Sequence, residues 1–258
     1  MRLPLLSLAL MTACTHLHSD IVDFNGRSVE VVTAGDGPDT VVFESGLGDG
    51  WSRWDRVASD IAVDARVFAY SRPGYGRSDD ATTPRDPAQI VEELRGLLAS
   101  QDIVAPYVLV GHSNGGTYLE LFAKAHADEV GAVVLVDPRP KDFLDACEAQ
   151  DLDACGISDG GLAHQPKVVQ DEYASFARAS DEIHGSFGDY PVRVLTATEG
   201  GSDARMALWA SMHAELADEA ADGEQLVLEG AGHYLQLRRP DDVSDVIRAV
   251  LPSGSRTP

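Results

Sequence analysis

The sequence predicts an α/β protein whose central sheet is mostly parallel and covered by helices on both faces. Three observations predict it. Short strand-like runs are almost continuously apolar, helix-like runs alternate with them, and one Gly-x-Ser-x-Gly turn sits between such a strand and such a helix. A chain of 258 residues is long enough to bury one substantial core.

The elements follow in order. Residues 21–24 and 28–32 flank Asn25-Gly26, a strong hairpin signal. Buried-type strands are expected at 40–44, 67–70, 107–111 and 132–136, then at 192–197 and 225–228. Helices are expected at 52–61, 87–100, 115–127, 203–216 and 241–250. Residues 138–190 break the rhythm: they are acidic, Gly-rich in the middle and lack a clear strand. They read as a cap inserted over the carboxyl edge of the sheet, where open α/β folds bind ligands. The core then comprises 20–137 and 191–252, with a leader and linker at 1–19 and a tail at 253–258.

The 42 acidic against 20 basic residues give a net charge of −22. Such a surface repels phosphate backbones and excludes nucleic acid as a partner. Met1-Arg2 followed by the apolar segment 3–13 has the form of an export signal, too short to span a bilayer. It ends in Leu10-Met11-Thr12-Ala13-Cys14, which resembles a bacterial lipobox with Cys14 as the lipidated residue. The alternatives are a plain cleaved signal, or a misplaced start before a cytosolic protein. Export by either signal places the protein in or beyond the bacterial cell envelope, and the lipidated form would touch a membrane through its N-terminal lipid alone. Setting Cys14 aside leaves Cys147 and Cys155, an even pair that reads as a disulfide in an oxidising compartment. No histidine lies between them to complete a zinc site.

Chemistry concentrates at Gly111-His112-Ser113-Asn114-Gly115-Gly116, between the apolar strand at 107–110 and a helical run. In that setting the pattern is a nucleophile elbow: its glycines permit a sharp turn that exposes the Ser113 hydroxyl at a helix N-terminus.

With this elbow, three further blocks resemble the α/β-hydrolase family of serine hydrolases. Glu44-Ser45-Gly46-Leu47-Gly48 stands where the family has its oxyanion loop. Tyr70-Ser71-Arg72-Pro73-Gly74-Tyr75-Gly76-Arg77-Ser78-Asp79 looks like the tight turn after the next strand. Gly230-Ala231-Gly232-His233-Tyr234 stands where the family keeps its catalytic histidine. The resemblance runs from Ile21 to Leu251. It implies an α/β-hydrolase fold with a small inserted cap, Ser113 as nucleophile, His233 as general base, and the backbone amides of Leu47 and Asn114 as the oxyanion hole. For the carboxylate that orients His233 it favours Asp137, at the end of a strand, with Glu199 and Asp203 as alternatives.

The remaining residues have simpler readings. His112 is a structural neighbour within the elbow, and His126, His164, His184 and His213 read as solvent-facing. Trp51 and Trp54 suit core packing, with a pocket wall as the alternative, Glu92-Glu93 a solvated helix face, and Asp241 a helix cap. No phosphate loop or metal-spaced histidine pair is present, so no cofactor and no metal is implied. The expected function is an exported serine hydrolase acting on a carboxylic ester or related acyl bond. Its substrate would be a small molecule with a neutral or apolar acyl group. The alternative from another class is a noncatalytic envelope lipoprotein that binds a ligand or partner. Natural substrate and oligomeric state are not encoded in these patterns.

Overall fold

The computed structural model describes residues 17–176 and 179–252, so Cys14 and the leader through residue 16 lie outside the described residues. Eight strands form one sheet: β1 (Asp20–Phe24), β2 (Arg27–Ala34), β3 (Thr40–Glu44), β4 (Arg66–Tyr70), β5 (Tyr107–His112), β6 (Val130–Val136), β7 (Pro191–Glu199) and β8 (Asp222–Gly232). Their spatial order is β1-β2-β4-β3-β5-β6-β7-β8. The first two pairings, β1 with β2 and β2 with β4, are antiparallel. The other five are parallel. The hairpin turns on Asn25 and Gly26, whose φ angles of 55° and 76° meet the demand of a two-residue turn for left-handed residues.

Two cores lie on opposite faces of the sheet. Along β5, Tyr107 and Leu109 enter one core while Val108 and Val110 enter the other. This period of two explains why the central strands read as unbroken apolar runs: neither face meets water. Helices Pro87–Ser100 and Asn114–Ala125 cover the first face through Ile90, Leu94, Tyr118 and Phe122. Helices Asp55–Ile61 and Pro240–Ala249 cover the second through Val57, Ile61, Val243 and Ile247. The first of these covering helices starts where sequence chemistry dictates: Asp86 accepts from the Gln89 amide at 3.0 Å and Pro87 occupies the first turn.

Several expectations need correction. β8 runs well beyond 225–228, because an edge strand takes its hydrogen bonds from β7 and needs no apolar run on its wet faces. The stretch 52–61 divides into a 3₁₀ turn, Trp51–Trp54, and the helix Asp55–Ile61. Asp241 does not cap the last helix, which opens at Arg239-Pro240; its carboxylate lies 3.3 Å from Arg56 instead. Glu93 is buried rather than solvated, because Arg85 and Arg27 neutralise it at 2.7 and 3.3 Å. His213 is also buried, between Thr196 at 2.9 Å and the Pro138 carbonyl at 2.7 Å. His126 is half-buried and bonds Glu92 at 3.1 Å. Trp54 is fully buried against Phe43, as expected of a core residue.

Between β6 and β7 the described residues form four short helices and no strand. Cys147 and Cys155 are joined in a disulfide. Closing so short a loop contributes roughly 2.5 kcal/mol through loop-closure entropy. Phe143 and Cys147 pack on Trp209 of helix Asp203–Asp218, with Phe143 edge-on at 4.7 Å. The cap thus closes over the carboxyl ends of the strands. Among the described residues no helix is long and apolar enough to cross a membrane.

Candidate active site

Ser113 follows β5 directly and precedes helix Asn114–Ala125, with φ 54° and ψ −127°. A non-glycine residue in such a conformation costs about 1–3 kcal/mol and persists only where its surroundings impose it. Here the Gly116 and Arg139 amides donate to the Ser113 carbonyl at 2.9 and 3.1 Å, and the Ser113 amide donates to Val136 at 3.3 Å. The glycines are steric necessities as well. A Cβ on Gly111 would stand 2.7 Å from the Gly115 carbonyl oxygen, and one on Gly115 2.5 Å from that of Ser45. The elbow and the Glu44–Gly48 loop therefore pack backbone to backbone.

His233 follows the end of β8 and returns to this turn. Its Nε2 lies 3.0 Å from Ser113 Oγ and its Nδ1 lies 2.6 Å from Asp137 Oδ2. Asp137 stands just past β6, in a left-handed conformation with φ 46°. Its Oδ1 accepts from the Ala197 amide and from Trp209 Nε1, both at 2.9 Å. Burial by itself would raise the Asp137 carboxyl, but the His233 hydrogen bond and charge, helped by His213 and the Ala197 amide, hold it below the ordinary carboxylate value. An ionised Asp137 accepts a hydrogen bond from Nδ1–H and keeps the proton on that nitrogen, which leaves the Nε2 lone pair facing the serine hydroxyl.

Glu199 and Asp203 occupy other places. Glu199 is exposed at the mouth of the cavity, and Asp203 is exposed in the first turn of its helix. Neither bonds His233 among the described residues. Leu47 and Asn114 line the same cavity as Ser113, which encloses about 390 Å³. Trp209 and Ala197, which complete the hydrogen bonding of Asp137, had no signal in the sequence. One sits mid-helix and one mid-strand, in patterns that core packing alone would produce.

His112 earns more than a neighbour's role. Its Nε2 donates to the His233 carbonyl at 3.0 Å, and the two rings lie 4.6 Å apart. Burial, and next the nearby His233, push His112 down to about 3 from 6.5. The imidazole is therefore neutral in the folded chain and protonates first in the unfolded one. Its contribution to stability is complete above pH 6.5 and is lost progressively toward pH 3. Urea unfolding at pH 7 and pH 4.5 checks this. The wild type should lose about 2–3 kcal/mol more than His112→Asn over that interval.

A buried ionic cluster supports the loop from Glu44 to Gly48. Arg72, 1% exposed, donates to the carbonyls of Ser45 at 2.6 Å and Gly46 at 2.9 Å. It pairs with Glu44 and, through Nε at 3.1 Å and a terminal nitrogen at 2.9 Å, with Glu172 of the cap helix Lys167–Phe176. Tyr75 and Arg85 also reach Glu172, at 3.0 and 3.4 Å. The turn after β4, the loop after β3 and the helix Lys167–Phe176 thus meet at one guanidinium, that of Arg72. Arg72 lies within a motif visible in the sequence, whereas Glu172 lies in a segment with no legible pattern.

Comparison with known proteins agrees with this architecture. A family profile described as alpha/beta hydrolase fold matches residues 39–154. The structure of Cfl2 from Burkholderia cenocepacia superposes with a TM-score of 0.69 over 93% of this chain and 97% of that one, at 18% identity. The chain has the α/β-hydrolase fold. An uncharacterized protein of Schizosaccharomyces pombe is 40% identical over 77 residues, 30% of this chain and 14% of its own. A 2-hydroxy-6-oxononadienedioate/2-hydroxy-6-oxononatrienedioate hydrolase of Cupriavidus pinatubonensis is 34% identical over 107 residues, 40% of this chain and 37% of its own. The matches to these two relatives therefore span well under half of either one's length.

Proposed function

We propose that the protein is a serine hydrolase that cleaves a carboxylic ester or related acyl bond through an acyl-serine intermediate. The observation that carries this reading is the unbroken hydrogen-bonded chain from Ser113 through His233 to Asp137. The hydrolase among its relatives is consistent with it. In the proposed reaction His233 Nε2 takes the proton of Ser113 as Oγ adds to the carbonyl carbon. Asp137 holds the imidazolium, and the amides of Leu47 and Asn114 receive the oxyanion. His233 returns the proton to the leaving alcohol. Water, deprotonated by the same imidazole, then releases the acid and restores Ser113. An aspartate nucleophile, as in epoxide-opening relatives of this fold, is absent from the elbow.

We further propose that the enzyme is exported to the cell envelope with Cys14 as its lipid attachment. The apolar leader supports this, and the Cys147–Cys155 disulfide suits an oxidising compartment.

A fluorophosphonate probe tests the chemistry, because it labels only an activated serine. The folded wild type should be labelled, and Ser113→Ala should not. An unlabelled wild type would instead support a protein that binds its ligand without turning it over.

A further inference from the structure

Two arginines line the cavity that contains Ser113, and their surroundings set them apart from the rest of the molecule. With 42 acidic residues against 20 basic ones, most described arginines pair with an acid, and of those that do not, Arg66 and Arg238 are exposed to water whereas the two of the cavity are half-buried. Arg72, Arg85 and Arg27 are paired in the interior, and Arg53, Arg77 and Arg95 nearer the surface. Arg139 differs. Among the described residues its guanidinium enters no ion pair and no side-chain hydrogen bond. Its neighbours are the rings of Tyr173 and Phe176 of the cap helix, with centroids at 5.1 and 4.6 Å. Arg205, across the cavity, likewise has no acid: it bonds the Ala154 and Gly200 carbonyls and lies over Phe143 and Trp209.

The acids of the cavity do not compensate for this. Asp49 is bound to Arg53 at 2.7 Å, and Asp137 is bound to His233. Glu199 is exposed at the mouth, where water screens it. Arg139 is also tied to the nucleophile by its backbone, since its amide donates to the Ser113 carbonyl at 3.1 Å. Two rings hold the guanidinium by cation–π contact, and no acid among the described residues takes up its N–H donors. A planar fork of donors in a half-buried site matches a carboxylate.

We propose that Arg139 recognises an anionic group of the substrate, and that the ester cleaved at Ser113 therefore carries a carboxylate, as in a hemiester of a dicarboxylic acid. This rests on the hydrolase reading above and replaces the neutral acyl group expected from composition. Arg205 adds positive potential from the opposite wall.

Matched ester pairs test it: methyl hemiadipate against methyl hexanoate for a carboxylate on the acyl side, and 4-carboxyphenyl acetate against phenyl acetate for one on the alcohol side. The expected result is a kcat/KM at least about 10-fold higher for the anionic member of one pair, which also identifies the side. In Arg139→Met that member should lose about 10- to 100-fold while its neutral partner changes little. Arg139→Lys should recover part of the preference. Fluorophosphonate labelling of each variant confirms that it is folded, and if Arg139→Met fails to fold, the wild-type preference and Arg139→Lys decide. Equal rates on both members of both pairs, or equal losses in the variant, would overturn the proposal while leaving the hydrolase reading intact. A wild type that cleaves none of the four esters and takes no label would overturn the hydrolase reading. Calorimetry of adipate with Ser113→Ala, with and without Arg139→Met, then judges the anion site separately. Binding that depends on Arg139 upholds the site, and its absence removes it.

Discussion

Asp137→Asn should lower kcat by about 10⁴-fold with little change in KM. The reason lies in the direction of one hydrogen bond. The Asp137 carboxylate accepts from His233 Nδ1 at 2.6 Å, while Oδ1 is already engaged by Ala197 and Trp209. An asparagine keeps its oxygen toward those two donors and presents its NH₂ to the ring. The imidazole must then accept at Nδ1 and carry its proton on Nε2, facing Ser113 with the wrong group. The base is lost although every atom stays in place. Steady-state kinetics with parallel thermal unfolding checks the result, since a folded but slow enzyme is expected. Single alanine variants at Asp137, Glu199 and Asp203 complete the comparison. Wild-type turnover in Asp137→Ala would remove it from the proposed triad and turn attention to Glu199.

The second large effect is on stability. Glu172→Ala should destabilise the fold by about 3–5 kcal/mol, because it leaves Arg72 with Glu44 alone and Arg85 with Glu93 alone, and so one positive charge in excess in the interior. Glu172 is fully buried and Arg72 nearly so, so neither arginine can turn to water without opening the cap. For a chain of this size the unfolding midpoint should fall by roughly 10 °C or more. Glu44 alone would then face Arg72. Burial raises the Glu44 carboxyl, and Arg72 opposes that rise. A midpoint unchanged in Glu172→Ala would show that the cap does not depend on this carboxylate.

Much of the architecture was legible before any coordinate. The central strands announce themselves because a parallel sheet with both faces buried demands continuous apolar runs. The elbow does so because only glycine fits at residues 111 and 115, where a Cβ would meet backbone oxygen at 2.7 and 2.5 Å. β8 was under-read because half of it is wet, and wet strands carry no apolar pattern. Glu93 and His213 were misread for a related cause: a polar side chain on a helix is taken as solvated unless its distant partner is known. Arg85 and Arg27, and Thr196 with Pro138, are such partners.

The same division holds at the site. Local sequence by itself determined that Ser113 stands on a strained strand-to-helix turn and that a histidine follows the last strand, because backbone sterics confine those motifs to a few residue types. Only the tertiary structure decided that Asp137, rather than Glu199 or Asp203, bonds His233. It likewise decided that Glu172 holds Arg72 against the loop from Glu44 to Gly48 and that Arg139 has no acid among the described residues. Those outcomes depend on which side chains meet across 60 or more residues of chain, and a hydrogen bond or an ion pair is set by distance in space.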